Sequence, residues 1–299
     1  MQMSGLQPLH ILVADIGGSH VTAGICNMQS RAIAPESITR AEVMSKGSAD
    51  DILSAWTGAL KSALKNGASE VSGLSIAMPG PFDYQNGISY IKGLDKYESL
   101  YGMDIKRHLA DSLKIDTQTI KFRNDAESTI AGEALEGAGK NHRSVLGITL
   151  GTGFGSAFSL NKVTGDINLG SDPYQESIAD DYFSTRWFIK RYHDLTGIKL
   201  TGGVKELSAI AGKSAEARGI FKEYANNMAD FLAKPVKQLN PEVLIICGNI
   251  AKASRFFLPY LEERLNTTTI KLAQLDENAP LIGAAAMFED TAPINPVNK

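Results

Sequence analysis

Cysteine is scarce: the 299 residues contain only Cys26 and Cys247, too few for a disulfide framework. Both close apolar runs, Ala-Gly-Ile-Cys and Leu-Ile-Ile-Cys, which predicts buried thiols in strands. Long apolar runs are missing as well. Stretches such as Val243–Cys247 fall far short of the ~20 residues needed to cross a bilayer. Residues 1–10 lack the basic start and apolar stretch of a signal peptide. The expectation is a cytoplasmic protein with no membrane partner. Neither sign of charge dominates, since 30 Lys and Arg face 33 Asp and Glu for a formal net charge of −3. Without a basic block, nucleic acid is not an expected partner. What remains is an ordinary globular composition, 43% hydrophobic and 21% charged, at a length that suggests two domains of ~100–200 residues each.

Strand and helix patterns alternate along the chain. Ile11–Ala14 reads as a buried strand, Asp15–Ser19 as a turn and Val21–Cys26 as a returning strand. Ile52, Leu53, Trp56, Leu60 and Leu64 keep helical spacing within Ala49–Asn66, and Val71–Met78 is a further strand. Ile120–Arg123 is a short strand, handing over at Asn124 to a helix from Ala126 to about Glu136, which Gly137 and Gly139 stop. Ser144–Leu150 and Ser156–Leu160 flank a second turn, Gly151–Gly155. Helices dominate from Ile178 to Leu239, where Pro235 is expected to end or kink the last one. Val243–Cys247 and Ile270–Leu275 read as strands, with a helix through Phe256–Leu265 between them and a closing helix over Leu281–Glu289. The tail after Ala292 has little to bury. The pattern predicts α/β architecture with mixed sheets. The expected division is 1–123, with 281–299 able to pack back on it, and 124–280.

Two segments are the most informative: Asp15-Ile-Gly-Gly-Ser-His-Val-Thr and Leu150-Gly-Thr-Gly-Phe-Gly-Ser. Each joins a strand to a second strand. A dinucleotide fingerprint requires strand, loop and helix, and neither segment ends in the Gly-Lys-Ser/Thr of a Walker loop. Glycines can adopt positive φ and leave the backbone uncovered, so successive N–H groups can form an anion-binding concavity. Ser19, Thr22 and Thr152 could add hydroxyl donors. Either segment alone fits an ordinary hairpin turn; two of them, one in each half, favour phosphate binding. Asp15 is also a common turn residue. Beside phosphates it implies a Mg²⁺ ion, which prefers oxygen ligands and retained waters.

Arg123-Asn124-Asp125-Ala126-Glu127 lies where a strand meets a helix. Asn124 or Asp125 suits an N-cap, and Asn124 with Glu127 has capping-box spacing. The same position suits a carboxylate that takes the proton of a hydroxyl attacking a γ-phosphate. A helix N-terminus would keep such a carboxylate ionised.

These segments, with Ala77-Met-Pro-Gly-Pro-Phe-Asp83, Ile245-Ile-Cys-Gly-Asn-Ile-Ala251 and Pro280-Leu-Ile-Gly-Ala-Ala285, stand in the order seen in ROK proteins (repressors, open reading frames and kinases). The chain resembles that branch of the actin-like ATPase superfamily over residues ~9–290. The resemblance implies two ribonuclease-H-like domains, ATP and Mg²⁺ as cofactors, a hexose or N-acetylhexosamine acceptor and a homodimer. It further implies Asp125 as general base, with Gly80 and Asn124 on the sugar. Asp15 would hold Mg²⁺ through water, Gly17, Gly18, Gly151 and Gly153 the phosphates, and Gly248 would let adenosine approach the backbone.

The chain also departs from the family pattern. Many ROK kinases carry Glu-x-Gly-His and then a cysteine-rich zinc motif after the second hairpin. Here no His follows before His193 and no Cys before Cys247, so no zinc site of that type is expected. Lys92-Gly93-Leu94 stands where the family's Pro-Asn-Leu is usual. Asp166, Asn168 and Glu176 are candidates for replacement sugar contacts. The aromatics Tyr174, Tyr182, Trp187, Phe188 and Tyr192 have spacing that fits core or a subunit interface better than a sugar platform. A non-catalytic sugar-binding protein and a kinase for a non-hexose acceptor are the competing expectations. A DNA-binding repressor is not expected, because about ten residues precede the first strand.

Overall fold

The apolar run that begins at Ile11 builds the central strand of the first of two units. The computed structural model describes residues 10–67 and 70–289. They divide into one unit of 10–132 with 277–289 and another of 133–276. In the first, β1 (His10–Ile16) and β2 (His20–Asn27) form an antiparallel hairpin. Both β3 (Ala32–Ile33) and β4 (Thr39–Glu42) pair with the outer edge of β2. After α1 (Ala49–Gly67), β5 (Leu74–Met78) lies parallel to β1. A small hairpin of β6 (Phe82–Asp83) and β7 (Ile88–Ser89) follows, then α2 (Ile105–Leu113). Strand β8 (Ile120–Asn124) pairs parallel with β5 and runs directly into α3 (Asp125–Glu136).

Strand alternation assigns the two faces of this sheet. Leu12, Ala14 and Ile16 share a buried cluster with Ile52, Leu53, Trp56 and Leu60 of α1. Each fully buried Leu or Ile among them contributes about 1.5–3 kcal/mol. Val13 and Asp15 therefore point to the opposite face.

The second unit repeats the opening move. β9 (Ser144–Leu150) and β10 (Phe154–Leu160) pair antiparallel across the second glycine turn, and β11 (Val163–Asp166) extends β10. A two-stranded hairpin, β12 (Pro173–Tyr174) and β13 (Ser177–Ile178), leads into α4 (Ala179–Phe183), α5 (Thr185–Thr196), α6 (Gly203–Ala211) and α7 (Ala215–Leu239). Of the two expected outcomes at Pro235, an end or a kink, the end does not occur: Pro235 lies inside α7. Leu232 and Val236 beside it are buried in the core, and that packing carries the final turn past the missing N–H. Strand β14 (Val243–Cys247) pairs parallel with β9 and with β15 (Thr269–Leu272). Between them lie a 3-10 helix (Asn249–Phe256) and α8 (Leu258–Arg264), the latter within the helix expected over Phe256–Leu265.

The chain then returns to the first unit as α9 (Asn278–Ala285). The Ser75 hydroxyl donates to the Ala284 carbonyl and Arg123 Nη1 to the Gly283 carbonyl at 3.0 Å. Both side chains share the Asp15 face, so α9 covers it. The tail after Ala292 lies outside the described residues. Cys26 and Cys247 are buried in β2 and β14. Burial pushes the Cys26 thiol up to about 12, which leaves it inert.

Candidate functional site

In the first turn the backbone does two jobs. The Gly17 N–H donates to the His20 carbonyl at 2.9 Å and closes the turn. The Gly17 carbonyl accepts the Tyr97 hydroxyl. Among the described residues, the next two N–H groups, of Gly18 and Ser19, have no hydrogen-bond partner. Both residues are exposed, and a Cβ added at Gly18 would meet nothing within 4 Å. Neither Gly17 nor Gly18 has positive φ, so the expected conformational reason for these glycines does not hold; Gly18 provides open backbone, whereas a Cβ on Gly17 would stand 3.3 Å from the His20 carbonyl oxygen. The Ser19 hydroxyl is 2.8 Å from His20 Nδ1.

Thr22 lies one step inside the hairpin. Register pairs Asp15 with Thr22 and Thr22 with Arg40, which sets the three side by side on the face covered by α9. Arg40 Nη1 bonds Glu277 Oε1 at 2.7 Å. Asp15 is partly buried in this row, and its pKa is raised to about 7. Burial is the largest cause, followed by the charges of Asp125 and Glu277; Arg40 opposes them. A divalent cation would relieve this crowding of negative charge. No group of three or more His, Cys, Asp or Glu among the described residues is placed to hold a metal. A single partly buried carboxylate fits Mg²⁺, which keeps waters and takes phosphate oxygens.

Asp125 opens α3. The Asn124 side chain caps that helix: its Oδ1 accepts the N–H groups of Ala126 at 3.0 Å and Glu127 at 3.1 Å. Glu127 does not complete a capping box and instead pairs with Arg123 at 3.1 Å. Asp125 Oδ1 accepts the Ala126 N–H at 2.8 Å, and the Asn124 side chain adds to the groups that favour its charged form. Burial raises the Asp125 pKa, against the pull of the Ala126 N–H and the Lys96 ammonium. Desolvation thus makes this carboxyl harder to ionise than a free one, although hydrogen bonds at the helix N-terminus favour its charged form. Asn124 Nδ2 donates to the Tyr84 hydroxyl at 3.2 Å, which in turn donates to the Met78 carbonyl at 3.1 Å. A Cβ on Gly80 would lie 3.1 Å from that hydroxyl. Gly80, Tyr84, Asn124 and Asp125 thus form one polar neighbourhood.

The second turn follows the same plan. Gly151 N–H donates to the Gly153 carbonyl at 3.0 Å. The Gly151 carbonyl accepts both the N–H and the hydroxyl of Thr185, at 2.8 and 2.9 Å. The N–H groups of Thr152 and Gly153 have no partner among the described residues, and a Cβ on Gly151 would meet nothing within 4 Å. Gly151 and Gly153 also lack positive φ. The following N–H, of Phe154, donates to Asp180 Oδ1 at 2.5 Å, and Asp180 is paired with Arg186.

Gly248 differs from all four. Its φ is +90°, and a Cβ would stand 2.4 Å from the Leu150 carbonyl oxygen. The fold of the second unit by itself therefore demands glycine there. Glu176 sits exposed at the tip of the β12–β13 hairpin. Asp166 and Asn168 are exposed on the segment after β10, where Asp166 Oδ1 accepts the Asn168 N–H at 2.7 Å. The aromatics are core: Trp187, Phe188 and Tyr192 are buried, with Tyr174 and Tyr182 packed against them. Sequence reading missed Lys96, Tyr97, Tyr84, Thr185 and Asp180. Tyr97 alone left a signal, an aromatic in a polar loop just after Lys92-Gly93-Leu94.

Two mixed α/β units, each opened by a strand hairpin with a glycine turn, define the ribonuclease-H-like arrangement of the actin-like ATPases. The ROK family matches residues 11–166, and the chain belongs to that family. Glucokinase of Thermotoga maritima is 22% identical, over 94% of this chain and 98% of that protein. The fold is shared with the ROK hexokinase of Thermus thermophilus, at a TM-score of 0.78 and 18% identity over 92% and 96% of the two chains. It is shared too with a ROK glucokinase of Streptomyces griseus solved in complex with glucose and AMPPNP, at 0.74 and 20% over 93% and 98%. A ROK family transcriptional regulator, a homolog of the E. coli MLC protein, gives a TM-score of 0.76 at 15% identity over 94% and 78%.

Proposed function

We propose that the chain is an ATP-dependent kinase for a hexose or N-acetylhexosamine, with Asp125 as general base. The observation that carries this is the partly buried Asp125 carboxylate, fixed at a helix head in one polar neighbourhood with Gly80, Tyr84 and Asn124. Asp125 accepts the proton of the acceptor hydroxyl as its oxygen bonds to the γ-phosphorus; the bond from that phosphorus to the bridging oxygen breaks, and ADP departs. In the first unit, Gly18 and Ser19 donate backbone N–H groups to phosphate oxygens, and Gly17 closes their turn. In the second, Thr152 and Gly153 do the same, with Gly151 closing theirs. Asp15 holds Mg²⁺ through water, and that ion supplies charge neutralisation at the phosphates. Gly80 and Asn124 position the sugar, with Glu176 a weaker candidate, and adenosine approaches the backbone at Gly248. The raised Asp125 pKa favours an activity that rises with pH, with an acid limb above the usual carboxylate range.

The test is sugar-dependent ADP release across a panel of hexoses and N-acetylhexosamines. Asp125→Asn lowers kcat by about 10²–10⁴-fold on this account; full retained activity would exclude it. A second reading, a sugar-responsive protein without catalysis, is favoured by the likeness to the ROK regulator. It requires sugar binding with no ADP release in the unaltered protein. The same proposal includes a cytoplasmic homodimer, which sedimentation would test for its subunit number.

A further inference from the structure

The first turn ends in a side chain that nothing so far has used. His20 opens β2, and the next residue, Val21, is buried in one cluster with Ile16 and Trp56. Alternation therefore sends His20 and Thr22 to the other face of the sheet, where register sets Asp15 beside Thr22. Negative charge already gathers in this row. Asp15 feels Asp125 and Glu277, and Arg40, which opposes them, is bonded to Glu277 at 2.7 Å. A phosphate placed at this turn adds more of the same sign, so donors beyond the two free N–H groups of Gly18 and Ser19 would be needed to hold it.

The backbone that carries His20 is held on both sides. The Val43 N–H donates to the Ser19 carbonyl at 2.8 Å, and the Gly17 N–H to the His20 carbonyl at 2.9 Å. The ring is held as well, because Ser19 Oγ lies 2.8 Å from Nδ1. Among the described residues Nε2 has no hydrogen-bond partner, and Glu42, opposite His20 in the ladder, makes no ion pair with it. The Ser19 contact allows three states of the ring. In two of them Nε2 carries a hydrogen: the neutral ring whose Nδ1 accepts from the hydroxyl, and the imidazolium that donates to it. An anion approaching Nε2 favours both over the third.

We propose that His20 is a phosphate-binding residue, whose Nε2–H donates to an oxygen of the phosphate that the Gly18 and Ser19 N–H groups approach. The Ser19 hydroxyl, expected from the sequence to meet a phosphate itself, orients the ring instead. The inference rests on the ATP-binding part of the kinase reading above. The second turn runs into Phe154, whose ring is buried, so this donor belongs to the first turn alone.

The experiment is calorimetric titration of the full chain with AMPPNP and Mg²⁺, comparing the unaltered protein with His20→Phe and His20→Gln. His20→Phe keeps a flat ring without a donor and should raise Kd by about 10- to 100-fold, the cost of one hydrogen bond to a charged group. His20→Gln keeps an N–H at similar reach and should recover a good part of the loss. Both variants should unfold at the same temperature as the unaltered protein. An unchanged Kd in His20→Phe, beside saturable binding by the unaltered protein, overturns the inference and leaves the kinase reading standing. An equal loss in the two variants excludes a donated N–H and also overturns it. A loss that comes with a lowered unfolding temperature makes His20 a structural residue, with the same consequence. An unaltered protein that does not bind AMPPNP removes both readings.

Discussion

The two glycine turns offer the same pair of free N–H groups in different surroundings. In each, a glycine N–H closes the turn and a hydroxyl pins the glycine carbonyl: Tyr97 on Gly17, Thr185 on Gly151. The first turn ends a strand that carries Asp15, whose field includes two more carboxylates. In the second, the nearest acid is Asp180, already committed to Phe154 N–H and Arg186. The shared part is a pair of backbone N–H groups that could donate to an anion. The part that differs is the acid beside each turn: Asp15 has a raised pKa, whereas Asp180 is engaged by the Phe154 N–H and Arg186.

The largest expected effect separates glycines that serve the fold from glycines that serve a ligand. Gly248→Ala places a Cβ against the Leu150 backbone at positive φ and should cost about 3 kcal/mol or more of stability, read as a lowered denaturation midpoint. An unchanged midpoint would mean that the backbone there can shift.

Asp15→Asn comes next and sharpens the difference between the turns. The Asp15 pKa is raised from 3.8 to about 7, so the folded state binds its proton more tightly than the unfolded state does. Stability is undiminished below about 3.8 and falls as pH rises towards 7. Above that the full penalty, on the order of a few kcal/mol, remains. The variant should therefore be more stable than the parent at pH 8, with little difference at pH 3.5, while ADP release collapses. A variant less stable at pH 8 would show that the Asp15 charge is compensated.

Gly18→Ala and Gly151→Ala should leave the melting temperature nearly unchanged, because each Cβ enters open space at an ordinary φ. Both should raise KM for ATP by about 10-fold, if a methyl group there displaces one phosphate hydrogen bond. An effect at one turn only would break the parallel between them. Smallest are the carbonyl tethers. Tyr97→Phe should cost about 1 kcal/mol, measured by denaturant unfolding. Thr185→Val should cost less, since the Thr185 N–H still reaches Gly151.

Much of this fold is legible in the residues themselves. Ser144–Leu150 and Val243–Cys247 fold as strands with the bounds that their apolar runs suggest, because buried strands leave few other uses for such runs. The short strands β3, β4 and β11 carry too few residues to register a period. The site was legible only where chemistry sits in contiguous sequence, as in the two turns and Asn124-Asp125. Arg40, Glu277 and Lys96 reach it through long-range packing that no local spacing encodes. The raised Asp125 pKa was not legible for the same reason: capping is local, whereas desolvation depends on everything folded around it.

The paired-turn account is tested most directly by following the backbone amide signals of Gly18, Ser19, Thr152 and Gly153 by NMR during titration with Mg²⁺ and the non-hydrolysable AMPPNP. All four should shift along one saturation curve, while those of Gly17, Gly151 and Phe154, already bonded within the protein, move little. Saturable binding that leaves either pair of signals in place would contradict it.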